Sequence, residues 1–180
     1  IYTASITPAG LRCAGEVADG VFPVWMDPSR YEVIGEYLDE GFAKAGNGKS
    51  LDDFDVAPFV AVSVNDDLDV AFNALRPYLA LYIGGMGAKG KNFYNDYATR
   101  LGYGDAAARI QELYLSGQKP EAEALVPNEL IDSVSLVGPA DRIRERLQIW
   151  KDAGKRGEVG SMLLSAQDPA TLELFAKEML

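Results

Sequence analysis

Thr7-Pro8 is the dipeptide of this 180-residue chain whose residue types and spacing best support chemistry. It separates an apolar start, Tyr2–Ser5, from Leu11, Ala14, Val17 and Ala18 at helical spacing. A threonine hydroxyl caps a helix, and proline suits its first turn. Such a start leaves backbone N–H groups unpaired at the positive end of the helix dipole, where they attract an anion. Trp25 ends the next apolar run and offers a flat ring, either for stacking or for the core. Gly84-Gly85-Met86-Gly87-Ala88-Lys89-Gly90-Lys91 is glycine-rich with two lysines. It reads as a lid for an anionic tail or as a solvent loop, and it lacks the glycine-to-lysine spacing of a P-loop. Asp52-Asp53-Asp55 and Asp66-Asp67 fall at turns and helix starts, where capping accounts for them. Arg142, Arg144 and Arg146, with Asp141 and Glu145, predict a solvated helix face. The chain has no histidine, so the commonest general base and metal ligand is missing from these residues. No Cys/His/carboxylate cluster has metal-binding spacing.

The elements that must position these groups follow from periodicity. Strands are predicted at Tyr2–Ser5, Val21–Met26, Asp55–Val64 and Gly160–Ser165. Helices are predicted after Thr7-Pro8, after Asp27-Pro28 (Tyr31, Ile34, Leu38, Phe42) and after Asn65-Asp66-Asp67, with Pro77 kinking the last. Short helices follow at 93–101, 105–116, 120–125 and 127–133. Gly138-Pro139 opens a longer one with Ile143, Leu147 and Trp150 inward, and Asp168-Pro169 opens another carrying Leu172, Phe175 and Met179. Strands alternating with helices imply a parallel sheet with right-handed crossovers. The order suits half of a (β/α)8 barrel, with a helical insertion before the last βα unit, or a small open doubly wound sheet.

A composition of 48% hydrophobic residues suits one globular domain over 1–180. The net charge of −10 opposes nucleic acid and anionic membranes as partners. No apolar run reaches the ~20 residues that span a bilayer. The single cysteine, Cys13, excludes an internal disulfide, fits a cytoplasmic setting and is expected as a small buried hydrophobe of the first helix.

The segment Ile1–Ser5, its proline turn and Ala14-Gly15-Glu16-Val17-Ala18-Asp19-Gly20 resemble the luciferase-like monooxygenase superfamily. Val62-Ser63-Val64-Asn65-Asp66-Asp67 resembles that family's seventh strand and following cap. Tyr78–Gly87 and Asn92-Phe93 look like the branch of oxidoreductases that use the deazaflavin coenzyme F-420, and 137–154 is similar to the family's last long helix. The resemblance implies an α/β fold of the TIM-barrel family. It places this chain at strands five to eight and the other four upstream of Ile1. It also implies a cofactor, coenzyme F-420 or alternatively FMN, with its phosphate on the turn Ala4, Ser5, Ile6, Thr7, Pro8 and Ala9. That turn has Thr7-Pro8 where the family has Gly-Pro, and a bulky Ile6. Trp25, Ser165 and Ala166 would lie at the same rim. The implied reaction is hydride transfer to or from a small organic substrate; FMN-dependent monooxygenation is the alternative. A half-barrel without catalysis is the reading from a different class. Open sheet edges then predict a homo-oligomer or a complementing N-terminal half.

Overall fold

The computed structural model describes residues 1–166 and 168–179. β1 (Tyr2–Ala4) leads into α1 (Pro8–Val17), β2 (Gly20–Phe22) and α2 (Glu32–Ala45). β3 (Asp55–Val56) and β4 (Phe59–Val64) precede α3 (Leu68–Ala80). The insertion carries α4 (Phe93–Ala98), α5 (Gly104–Leu115), α6 (Lys119–Ala124) and α7 (Asn128–Val134). β5 (Ser135–Gly138), α8 (Ala140–Lys155), β6 (Leu163–Ser165) and α9 (Pro169–Met179) complete the order.

Every strand pairing is parallel, in the orders β1-β2-β3 and β5-β4-β6. Asp55–Val64, expected as one strand, breaks at Ala57-Pro58, where proline has no N–H to donate. Pairing nevertheless carries across the break. Ala57 N–H donates to Val21 O and Phe59 N–H to Pro23 O, both at 2.9 Å, and Val24 bridges to Phe59. The two groups are therefore one curved parallel layer. Phe59 has β2 on one flank and Leu163 of β6 on the other. Ala61 pairs with both Ser135 and Ser165, so β5 continues the flank that β2 began.

β5 was not expected from the sequence. It is four residues long and buried throughout, and so short an apolar run carries no periodicity of its own. The helix expected at Asp27-Pro28 begins later, at Glu32; Asp27 instead caps a turn, accepting the Ser29 N–H at 2.8 Å. α3 runs on through Pro77 and widens into a π-turn at Leu81–Gly85.

The helices cover the outer face of the layer, and the core lies between them and Val21, Val56 and Val60. α1 meets α2 at Gly15 and Gly41. A Cβ on Gly41 would sit 2.3 Å from the Arg12 carbonyl oxygen and 2.8 Å from Gly15 Cα. Leu11, Ala14 and Ala18 face this core, but Cys13 and Val17 are exposed, against expectation. They stand four residues apart on the opposite side of α1. The arginine face of α8 is also corrected. Arg142 and Arg146 turn inward to Asp132 of α7, at 2.8 and 3.0 Å, and only Arg144 pairs at the surface, with Asp141 and Glu178. Among the described residues, no helix is long and apolar enough to cross a membrane.

Candidate functional site

The turn between β1 and α1 forms as its residues require. Thr7 Oγ1 accepts the Gly10 N–H at 3.2 Å, and Thr7 O accepts the Leu11 N–H at 2.8 Å. Pro8 occupies the first helical turn. Ile6 turns its side chain into the core, 4% exposed, so its bulk lies off the outer surface of the turn. Gly10 makes room for Ser5, whose Oγ would lie 1.9 Å from any Cβ placed there. The Thr7 and Ala9 N–H groups have no acceptor among the described residues. Two unpaired donors at the start of a helix are an anion site in both geometry and dipole.

Beside this turn, at the C-terminal ends of β1 and β2, lies a cleft of about 310 Å³. Ala4, Ser5, Ile6 and Thr7 form one wall, and Phe22, Val24, Phe93 and Tyr94 form the rest. No charged side chain lines it. A larger groove of about 660 Å³ separates α2 from α8, but Glu32, Glu36, Asp39, Asp152 and Glu158 line it against one cation, Arg156, and their excess would repel an anion. The smaller cleft is the candidate, because it adjoins the free Thr7 amide.

Trp25 does not reach the rim. It is 2% exposed and packs on Tyr78, Tyr82 and Tyr94, with ring centroids 6.0, 6.0 and 5.4 Å away. Its backbone has φ 53°, unusual for a residue with a side chain, and its carbonyl accepts the Tyr97 hydroxyl at 3.2 Å. Trp25 thus backs Tyr94, and the exposed aromatic surface belongs to Phe93 and Tyr94, whose centroids are 4.3 Å apart. Burial pushes the Tyr78 hydroxyl up to about 12 and raises that of Tyr94.

Phe22, Val24, Phe93 and Tyr94 were not singled out as site residues from the sequence. A signal for the last two was available in Asn92. It is a buried N-cap whose Oδ1 accepts the Tyr94 and Asn95 N–H groups while its amide donates to Tyr82 O and Ile83 O. Asparagine ahead of an aromatic pair marks a helix start that fixes both rings.

The glycine-rich stretch does different work at its two ends. Gly84 and Gly85 belong to the π-turn and press against Tyr114, where a Cβ would come within 2.5 and 2.6 Å. Lys89 and Lys91 are exposed and do not line the cleft. Neither do Pro8, Ala9, Ser165 or Ala166. Asp67 caps α3 as expected, accepting the Asp69 and Val70 N–H groups. Asp55 accepts the Tyr2 and Ser161 hydroxyls, each at 2.9 Å, at the end of the sheet away from the turn. Among the described residues, no group of three or more His, Cys, Asp or Glu could hold a metal ion.

Comparison with known proteins bears on the family and the fold. The profile of the luciferase-like monooxygenase family matches residues 1–157. A protein of Mycobacterium tuberculosis named as a coenzyme F420-dependent oxidoreductase is 38% identical over 147 residues, which is 82% of this chain and 42% of that protein. The 5,10-methylenetetrahydromethanopterin reductase of Archaeoglobus fulgidus is 29% identical, over 100% of this chain and 53% of its own. The structure of the coenzyme F420-dependent tetrahydromethanopterin reductase of Methanopyrus kandleri superposes with a TM-score of 0.72 at 27% identity, covering 98% of this chain and 49% of that one. The chain thus spans about half the length of the relatives it matches. Its parallel layer is a partial half-barrel of the luciferase-like TIM-barrel type. By its sequence profile, its relatives and its fold, the chain belongs to the luciferase-like monooxygenase family.

Proposed function

We propose that the chain is the coenzyme-holding part of a coenzyme F-420-dependent oxidoreductase, corresponding to strands five to eight of the barrel. The observation that carries this reading is a cleft joining the unpaired amide of Thr7 to the uncharged walls of Phe22, Val24, Phe93 and Tyr94, with the unpaired Ala9 amide two residues on. The amides suit a phosphate, and the walls suit a flat ring. The turn from Ala4 to Ala9 would hold the phosphate. Pro8 contributes no donor, and the Thr7 hydroxyl is free to donate because its oxygen only accepts in the cap. Trp25 would act by supporting Tyr94. When bound, the deazaflavin supplies a hydride, or takes one, at its ring carbon. The chain's own residues would fix the anion and keep water from the ring. The names of the Mycobacterium tuberculosis relative and of the Methanopyrus kandleri structure support this cofactor choice. A small organic substrate is the partner this reading calls for.

Fluorescence titration with coenzyme F-420 and with FMN tests the proposal. Coenzyme F-420 is expected to bind the chain in the micromolar range, on the order of −8 kcal/mol, and more tightly than FMN. Tighter binding of FMN would favour the monooxygenase reading. Binding of neither would sink the coenzyme reading for these residues.

The reading also needs a second half-barrel. β1 pairs only with β2, and β6 only with β4, among the described residues. Register puts Tyr2, Phe59 and Leu163 on the inner face of the layer, where they are 43%, 40% and 39% exposed. We propose that an N-terminal half or a second copy covers this face. Light scattering on the 180-residue chain is expected to show association; a stable monomer would count against it.

A further inference from the structure

We infer that Arg100 is a positioning residue for the anion, acting through the peptide bond between Ile6 and Thr7. The inference rests on the coenzyme reading above. Arg100 lies just past α4, in the insertion, and its guanidinium sits between the rings of Tyr37 and Tyr97, 5.6 and 5.0 Å from their centroids. One end, Nη2, donates to the Ile6 carbonyl oxygen. The other, Nη1, is buried with no partner among the described residues. A guanidinium held this way is a fixed charge beneath the turn, and both aromatic faces favour it there.

Its effect follows from peptide geometry. The Ile6–Thr7 peptide bond is trans, so the Ile6 C=O and the Thr7 N–H lie in one plane and point in opposite directions. Arg100 fixes the carbonyl toward itself and thereby aims the Thr7 N–H away from itself, at the surface of the turn. Cation, peptide dipole and bound anion then lie in line, each polarising the next. The bond also fixes the carbonyl of Ile6, whose side chain is anchored in the core. Through this bond the turn can do without the family's Gly-Pro: the donor is aimed from behind rather than by a flexible glycine. Arg100 needs no contact with the coenzyme.

Two variants of the full chain test this, Arg100→Met and Arg100→Lys, each checked for folding by circular dichroism. Hydrogen exchange of the turn and of the amides it holds, residues 5–11, is measured without ligand. Fluorescence titration uses coenzyme F-420 and the deazaflavin analogue that lacks the phosphate. Arg100→Met is expected to speed exchange at Gly10 and Leu11, whose N–H groups are held by Thr7 Oγ1 and Thr7 O, and to weaken coenzyme F-420 by about tenfold, while the phosphate-free analogue shifts less than about twofold. Arg100→Lys keeps the charge and should recover part of the affinity, in a salt-dependent way. Unchanged exchange at the turn would overturn the inference, as would equal losses for both deazaflavins. If the wild-type chain binds neither deazaflavin, the coenzyme reading fails on its own. Protection of the turn by inorganic phosphate in the wild type, lost in Arg100→Met, would still support the role of Arg100; no protection would overturn it.

Discussion

Replacing Trp25 with alanine will remove about 3–5 kcal/mol of folding stability. The ring is almost fully buried, and its neighbours come from distant segments: Tyr78 from α3, Tyr82 from the π-turn and Tyr94 from α4. These cannot all close on the space it leaves, so the loss includes a cavity cost as well as lost burial. For a chain of this size, thermal unfolding should fall by about 6–20 °C. The positive φ at this position adds a sharper expectation. Glycine is ordinarily worse than alanine in folded structure, by about 0.5–1 kcal/mol. Here the order should invert, with Trp25→Gly more stable than Trp25→Ala by about 1 kcal/mol, because only glycine adopts this backbone without strain. Calorimetry of the two variants decides it. A loss below about 1 kcal/mol in Trp25→Ala, or alanine ranking above glycine, would mean that the ring is not held as described.

The second large effect lies at the helix crossing. Gly41→Val should cost about 3 kcal/mol, at the upper end for overpacking, and Gly41→Ala should cost somewhat less. The clash is with backbone, the Arg12 carbonyl and Gly15 Cα, so no rotamer change relieves it. α1 would be pushed from α2, and the Arg12–Glu40 and Lys44–Glu16 ion pairs that flank the crossing would separate. Gly154 in α8 is the control. Its nearest neighbour would lie 3.4 Å from an added Cβ, an ordinary contact. Gly154→Ala should therefore be neutral or stabilising by up to about 1 kcal/mol, through helix propensity alone. Urea unfolding of the three variants would show it. Equal behaviour of Gly41→Ala and Gly154→Ala would rule out the close crossing.

These positions show what the sequence makes legible. Thr7-Pro8, Asp67 and Asp168 could be read as helix starts because a cap and its partner lie within three residues of each other. The alternation of strands and helices fixes a parallel layer for the same reason, since each unit is local. What was misread depends on how separate elements pack. Arg142 and Arg146 looked solvated because Asp132 lies on another element, and only folding shows that they share it. Cys13 and Val17 have the composition of a core but the wrong side of α1. The cleft was half legible: its turn is local, whereas Phe93 and Tyr94 arrive from the insertion. Gly41 could be recognised as a helix interruption, but not as the place where two backbones touch.

The bond from Arg100 to Ile6 spans 94 residues of chain, which sets an order of events during synthesis. β1 and the start of α1 leave the ribosome long before the guanidinium exists. Until α4 and the residues just past it have been made and docked, the Ile6 carbonyl has no partner to turn toward, and the entropy of closing so long a loop opposes the bond. Residues made early in this stretch are among the last to be set. A nascent chain can therefore build this helix early, yet it cannot present an ordered Thr7 amide until the segment just past α4 has been translated and docked.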